Sequence, residues 1–288
     1  VSGQSSYAAR PWLKHYDYWV RPHATYPGRP LTDILATTAV EIPDRAATSF
    51  FGAELTFMDL KRRADAFAAA LAGFGIGKGD RVGIMLPNCP QYIIAAFGIL
   101  KLGAVVVNVN PSYTPREVGV VVADSGMRIL VTLDALAPLV ASLRGQTPTT
   151  IEHLILTSLA EYTPQAVGPP RVDGALAFTD LLNETGKGGQ TPWRSGSKGS
   201  DPAVRPDDLA VLQYTGGTTG TPKGAMLTHA NIFANCIQTE MWTNPAYILS
   251  RSERYLVVIP YFHIYAFTVC MMMGIRVGAL QIILPKYD

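Results

Sequence analysis

The sequence predicts an α/β fold of doubly wound, mainly parallel sheets with helices on both faces. Three observations predict it. Short, nearly continuous apolar runs recur along the chain: "RVGIMLP", "AVVVNVN", "RILVTL" and "LAVLQYT". Segments with helical periodicity and helix-type ends lie between the first three of them. Runs that are apolar on both faces belong to parallel sheets covered from each side, whereas half-solvated strands alternate. The crossovers are expected to be right-handed.

The elements follow in order. "ARPWLKHYDYWVRPH" mixes basic and aromatic residues and is read as a surface arm packed on the domain. "LTFMDLKRRADAFAAALAGFGIGKGD" is an amphipathic helix, with Thr56 as N-cap and Asp59 completing a capping box. Leu60, Ala64, Phe67 and Leu71 share one face, and Gly73, Gly75 and Gly77 end it. In "PQYIIAAFGILKLG", Pro90 suits a first helical turn and Gly103 a helix end. "YTPREVGVVVADSG" offers Thr114 as N-cap, Pro115 in the first turn and Glu117 at the third position. The stretch 161–207 is rich in Gly, Pro and Ser and reads as a long exposed connection, broken by a short helix near "AFTDLLNE". After "LAVLQYT", the stretch "THANIFANCIQTEMW" is a helix capped by Thr228.

Composition excludes several function classes. Lys plus Arg is 24 and Asp plus Glu is 22, a net charge of +2 without a concentrated basic run, which argues against nucleic acid. Cys89, Cys236 and Cys270 are scattered, so neither a disulfide framework nor a zinc site is indicated, and a reducing cytoplasmic compartment is inferred. The polar start "VSGQSSYAAR" is no signal peptide. Residues 255–275 carry no charge and are long enough to span a bilayer. Pro260, His263, Gly274 and three tyrosines in that stretch favour instead a buried strand, a buried helix and a second strand, with Met271, Met272 and Met273 as core filler.

"YTGGTTGTPKG", residues 214–224, carries the chemistry. Glycines let backbone N–H groups approach a ligand closely, and successive N–H groups form an anion nest. Thr215, Thr218, Thr219 and Thr221 add hydroxyls and Lys223 adds positive charge, a set suited to a polyphosphate. It is no Walker loop: Lys223 follows Pro222 and precedes Gly224, so Gly-Lys-Ser/Thr is missing.

"LQYTGGTTGTPKGAMLTHAN" resembles the phosphate-binding signature of the acyl-adenylate-forming superfamily, which includes acyl-CoA synthetases, luciferases and adenylation domains. Gly216, where many members have serine, makes it most similar to fatty-acyl-CoA ligases of the bacterial long-chain type. "PWLKHYDYW", "KGDRVGIMLPNCPQYIIAAFGILKLGAVVVNVNPSYTPRE", "ADSGMRILVT" and "IPYFHIYAFTV" extend the likeness along nearly the whole chain.

The resemblance implies the large N-terminal domain of that fold, incomplete. It is divided into an arm with first strands and helix (1–50), a first α/β subdomain (51–160), the connection (161–207) and the start of a second subdomain (208–288). On the same resemblance, the family's C-terminal domain is expected to be missing from this stretch. The implied reaction joins a fatty acid to ATP, giving acyl-AMP and pyrophosphate, and then passes the acyl group to coenzyme A. Thr215, Gly216, Gly217, Thr218, Thr219, Gly220, Thr221 and Lys223 are implied to hold phosphates. Thr215 is the expected contact of a Mg²⁺ ion, and His263 is the expected catalytic residue beside the acyl group, with Tyr261, Phe262 and Tyr265 as candidate pocket walls. His229 is given no catalytic role. Because fatty acids partition into membranes, peripheral membrane contact is an expectation, and a homodimer is one at family level. The family's adenine- and ribose-binding segments and its C-terminal lysine find no counterpart here, so the 288-residue stretch alone is expected to have little ligase turnover. Two alternatives stay open: a truncated, non-catalytic nucleotide-binding or interaction module of the same fold, and a CoA ligase for aryl or medium-chain acids.

Overall fold

The computed structural model describes residues 7–143, 149–168, 171–187, 203–215, 222–243, 245 and 251–286. Among the described residues, eleven strands form two sheets. β1 (Ala46–Phe50) and β2 (Ala53–Thr56) come first, followed by β3 (Arg81–Met85), β4 (Val105–Asn108) and β5 (Ile129–Leu133). Next come β6 (His153–Thr157), β7 (Leu176–Ala177), β8 (Leu209–Thr215), β9 (Lys223–Thr228), β10 (Arg254–Val257) and β11 (Leu280–Ile283). The helices are α1 (Thr32–Glu41), α2 (Phe57–Gly73), α3 (Pro90–Lys101), α4 (Pro115–Ser125), α5 (Ala137–Leu143), α6 (Phe178–Lys187) and α7 (His229–Trp242). A π-helix, Ala266–Met273, runs on into the turn Gly274–Arg276.

The larger sheet has the order β7-β6-β5-β3-β4-β8-β9, parallel except for the β8–β9 pair. Its strands show why continuous apolar runs were needed. Val82, Ile84, Val106, Ile129, Val131 and Ile155 face one core, shared with α2, α3 and α6. Met85, Val107, Leu130, Leu154 and Leu156 face the other, under α4 and α5. Alternate residues therefore feed opposite cores, and both must be apolar. α3 is buried from Pro90 to Leu100, as expected of a helix apolar all round. Gly98 lets it lie close on α2: a Cβ there would come within 2.8 Å of the Phe67 ring and 3.0 Å of the Ala64 carbonyl.

Local chemistry sets the helix starts. Thr56 Oγ1 accepts from the Asp59 amide at 3.0 Å, while Asp59 Oδ2 accepts from Thr56 N at 3.3 Å. Thr114 with Glu117 and Thr228 with Asn231 form equivalent boxes. The N-terminal arm lies along α7: the Trp19 indole donates to the Trp242 carbonyl at 3.4 Å, and the Tyr16 and Trp242 rings meet edge to face at 4.9 Å. Among the described residues no helix is long and apolar enough to cross a membrane. Instead, residues 254–283 fold as strand, helix and strand, with Met271, Met272 and Met273 in the core.

The smaller sheet has the order β10-β11-β1-β2. β1 pairs in parallel with β11, so residues near 50 and near 280 share one sheet. β8 and β9 instead extend the larger sheet beyond β4. The expected linear division at 51–160 and 208–288 therefore does not coincide with the sheets.

Candidate functional site

The helices after β3 and β4 leave to opposite faces of the larger sheet, α3 into one core and α4 into the other. Such sheets open a crevice beyond their strand ends at a reversal of this kind. A cleft of about 270 Å³ lies beside it, at the C-terminal ends of β4 and β8, lined by Asn108, Asn110, Tyr113, Gln213, Thr215 and His263 among others.

Thr215 ends β8 and Lys223 opens β9, and the two are directly opposed in the antiparallel register. Both are exposed. They bracket the glycine- and threonine-rich turn, whose predicted phosphate residues Gly216, Gly217, Thr218, Thr219, Gly220 and Thr221 lie outside the described residues. Gly224 pairs with Tyr214, and a Cβ at 224 would stand 3.0 Å from the Tyr214 ring. That closeness seats the ring over β9 while its hydroxyl donates to Asp124 Oδ2 at 2.5 Å. Burial first, and Asp124 second, push the Tyr214 phenol well above its ordinary value, so it stays a neutral donor. Gly224→Val should force the ring aside and lower stability by about 1–3 kcal/mol, read from urea unfolding. An unchanged midpoint would mean that β9 yields without resistance.

His263 follows the turn at Pro260 and is exposed at the cleft. Its amide donates to the Pro260 carbonyl at 2.9 Å, and its own carbonyl accepts from Phe267 N at 3.0 Å. Nδ1 accepts from the Tyr265 amide at 3.3 Å, an arrangement that places the neutral ring's proton on Nε2. Of the candidate pocket walls, Phe262 lines the cleft and Tyr265 is exposed. Tyr261 departs from that expectation: it is wholly buried, with its hydroxyl donating to Gln281 Oε1 at 2.6 Å.

Behind the cleft runs a buried polar chain that the motif reading did not single out. The Tyr92 hydroxyl donates to Asn108 Oδ1 at 2.5 Å, Asn108 Nδ2 donates to Gln213 Oε1 at 2.9 Å, and Gln213 Nε2 donates to the Phe262 carbonyl at 3.1 Å. Asn88 holds the same turn from another side. It accepts from Tyr261 N at 2.7 Å and donates to the Ile259 and Val257 carbonyls at 3.1 and 3.4 Å. The available signal was an amide interrupting an apolar strand, Asn108 in "AVVVNVN" and Gln213 in "LAVLQYT". A buried amide needs partners.

His229 lies outside the cleft lining. It is buried, and Nδ1 accepts from Leu31 N at 3.2 Å, tying α7 to the start of α1. Burial, only partly opposed by Asp208, pushes its pKa down to about 4 from an ordinary 6.5. Glu161, partly buried, is pushed up to about 7 by burial despite hydrogen bonds from Thr157 and Ser158. The two act oppositely on stability. Below pH 6.5 the unfolded chain protonates its histidine first, so the His229 contribution is lost as the pH falls towards 4. The Glu161 contribution is full below 4.5 and is lost as the pH rises through 7. Wild-type stability should therefore change little between about pH 7 and pH 5. Glu161→Gln should unmask a fall of about 2 kcal/mol over that range, measured by urea unfolding at both ends. A flat profile in that variant would refute the His229 assignment.

Among the described residues no group of three His, Cys, Asp or Glu side chains could hold a metal ion. Among the described residues the cleft lining offers single neutral donors, the Thr215 hydroxyl and the Asn110 amide included, and no carboxylate. Such a donor set fits a magnesium ion carried mainly by a substrate's phosphates rather than by a protein cage.

Comparison with known proteins agrees with this architecture. The family described as AMP-binding enzyme matches residues 35–288. A long-chain-fatty-acid–CoA ligase of Bacillus subtilis is 36% identical over 285 residues, covering 97% of this chain and 50% of its own length. The crystal structure of the anthranilate CoA ligase AuaEII in complex with anthranoyl-AMP superposes with a TM-score of 0.73 at 23% identity, over 92% of this chain and 46% of that one. A long-chain-fatty-acid–CoA ligase from Archaeoglobus fulgidus gives 0.72 at 22% identity, over 95% and 50%. The chain spans about half the length of the curated relatives it matches. The match over residues 35–288 establishes that the chain belongs to the AMP-binding enzyme family, with a fold shared with about half of each of these ligase structures.

Proposed function

We propose that the chain is the phosphate- and acid-recognising portion of a long-chain fatty-acid–CoA ligase. One observation carries this reading: the Thr215–Lys223 pair brackets the glycine-threonine turn, and Thr215 lines the same cleft as His263. The turn's amides and hydroxyls, with Lys223, hold the β- and γ-phosphates of ATP. Magnesium, when bound, neutralises phosphate charge, and the Thr215 hydroxyl is the protein group offered to it. The fatty acid carboxylate attacks the α-phosphate, forming the acyl–phosphate bond and expelling pyrophosphate. Coenzyme A then displaces AMP as the thioester forms. The first step brings two anions together, so positioning and charge neutralisation dominate the barrier. His263, with Nε2–H free for a ligand, donates to the carboxylate or the adenylate phosphate.

The test is equilibrium binding of MgATP to the 288-residue chain, followed by a long-chain fatty acid. Saturable MgATP binding that is lost on shortening the turn supports the reading. A chain that binds neither ligand refutes it.

A further inference from the structure

Gln213 sits two residues before Thr215 on β8. Residues i and i+2 of a strand share a face, and both side chains line the cleft. Gln213 is 8% exposed, and each end of its amide is engaged: Oε1 accepts from Asn108 and Nε2 donates to the Phe262 carbonyl. Phe262 is the residue before His263. The imidazole itself is tied only locally among the described residues, through Nδ1 to the Tyr265 amide. Its placement therefore depends on the backbone of the Pro260 turn. Asn88 grips that turn through Tyr261 N, but Asn88 belongs to the loop after β3. Gln213 is the grip that comes from the strand carrying Thr215.

We propose that Gln213 is a positioning residue, clamping the Phe262 carbonyl so that His263 keeps its placement relative to Thr215. The role needs a donor and an acceptor on one side chain of this length. Methionine fills similar volume but leaves the Phe262 carbonyl and Asn108 Nδ2 without partners. Tyr92 and Asn108 make the clamp stiff, because the Tyr92 hydroxyl fixes which end of the Asn108 amide faces Gln213. The binding consequence rests on the proposed function above, whereas the clamp itself does not. If the clamp holds His263 in place, its loss should weaken a ligand that reaches His263 and spare one held mainly through its β- and γ-phosphates.

The experiment compares wild type, Gln213→Met and Tyr92→Phe. Amide hydrogen exchange is followed across residues 261–267, with α2 as internal reference. The probes are MgATP and a long-chain acyl-sulfamoyl adenosine, a stable mimic of an acyl adenylate. Gln213→Met should speed exchange in 261–267 by about tenfold while α2 is unchanged. Affinity for the adenylate mimic should fall about tenfold with MgATP affinity held within about twofold. Tyr92→Phe, which loses one hydroxyl and keeps the fold should Gln213→Met not, should show a smaller change in the same amides. Unchanged exchange in 261–267, exchange rising equally in α2, or equal losses for both probes would overturn the proposal. Failure of wild type to bind either probe would refute the ligase reading, while the exchange data would still decide the clamp.

Discussion

Lys223→Met is expected to weaken MgATP binding by about ten- to a hundredfold, the loss of one charge-assisted phosphate contact of roughly 1.5–3 kcal/mol. The expectation follows from the β8–β9 register. Lys223 is directly opposite Thr215 at the last pair of the β8–β9 ladder, so the two side chains leave the sheet on one face. Both residues are exposed, and the described residues give Lys223 no carboxylate partner. Methionine keeps the stem and removes only the charge. Calorimetric titration with MgATP and with adenosine separates the cases. Adenosine lacks the phosphates, so its affinity should not change. Equal binding of MgATP by variant and wild type would place the phosphates elsewhere. Because the contact lies at the surface, the difference should shrink as salt is raised.

Asn88→Leu is expected to destabilise the fold by about 2–4 kcal/mol. Asn88 is 2% exposed and lies just past β3 of the larger sheet. Its partners, Tyr261 N and the Ile259 and Val257 carbonyls, lie at and beyond the end of β10 in the smaller sheet. One side chain thus stitches the two sheets together. Leucine of similar size would leave the buried Tyr261 N–H without its acceptor and take a donor from the Ile259 carbonyl, while the Val257 carbonyl keeps Leu284 N; an unmet buried N–H carries its full desolvation penalty. Urea unfolding with a fixed slope measures the loss. The same variant should loosen the Pro260 turn more than α4 and α5, which pack on the far side of the larger sheet. A stability within about 0.5 kcal/mol of wild type would show that the loops re-pair without Asn88.

Much of this fold was legible in the sequence. Thr56, Thr114 and Thr228 announced three helix starts because capping is local chemistry, complete within four residues. β3, β4, β5 and β8 were legible because strands buried on both faces leave an unbroken apolar run. β9 was not. "KGAMLT" is exposed or half-buried throughout, and its strand character comes from pairing with β8. The helix in residues 254–283 was expected, but its π winding from Ala266 to Met273 was not, since apolar content does not distinguish π from α hydrogen bonding. Thr215, Lys223 and His263 stood out by motif. Gln213, Asn108, Tyr92 and Asn88 did not, because a polar side chain inside an apolar run names no partner.

By itself the sequence determined the helix caps, the strands with two buried faces and the family resemblance. Each is written in residues close together along the chain. Only the tertiary structure decided that β1 and β2 join β10 and β11 across more than two hundred residues, that Thr215 faces Lys223, and that Gln213 reaches the turn before His263. The physical reason is that periodicity encodes how much of a residue is buried. Which distant partner buries it, and which hydrogen bond then meets its polar atoms, is settled only when the sheets close on a common core.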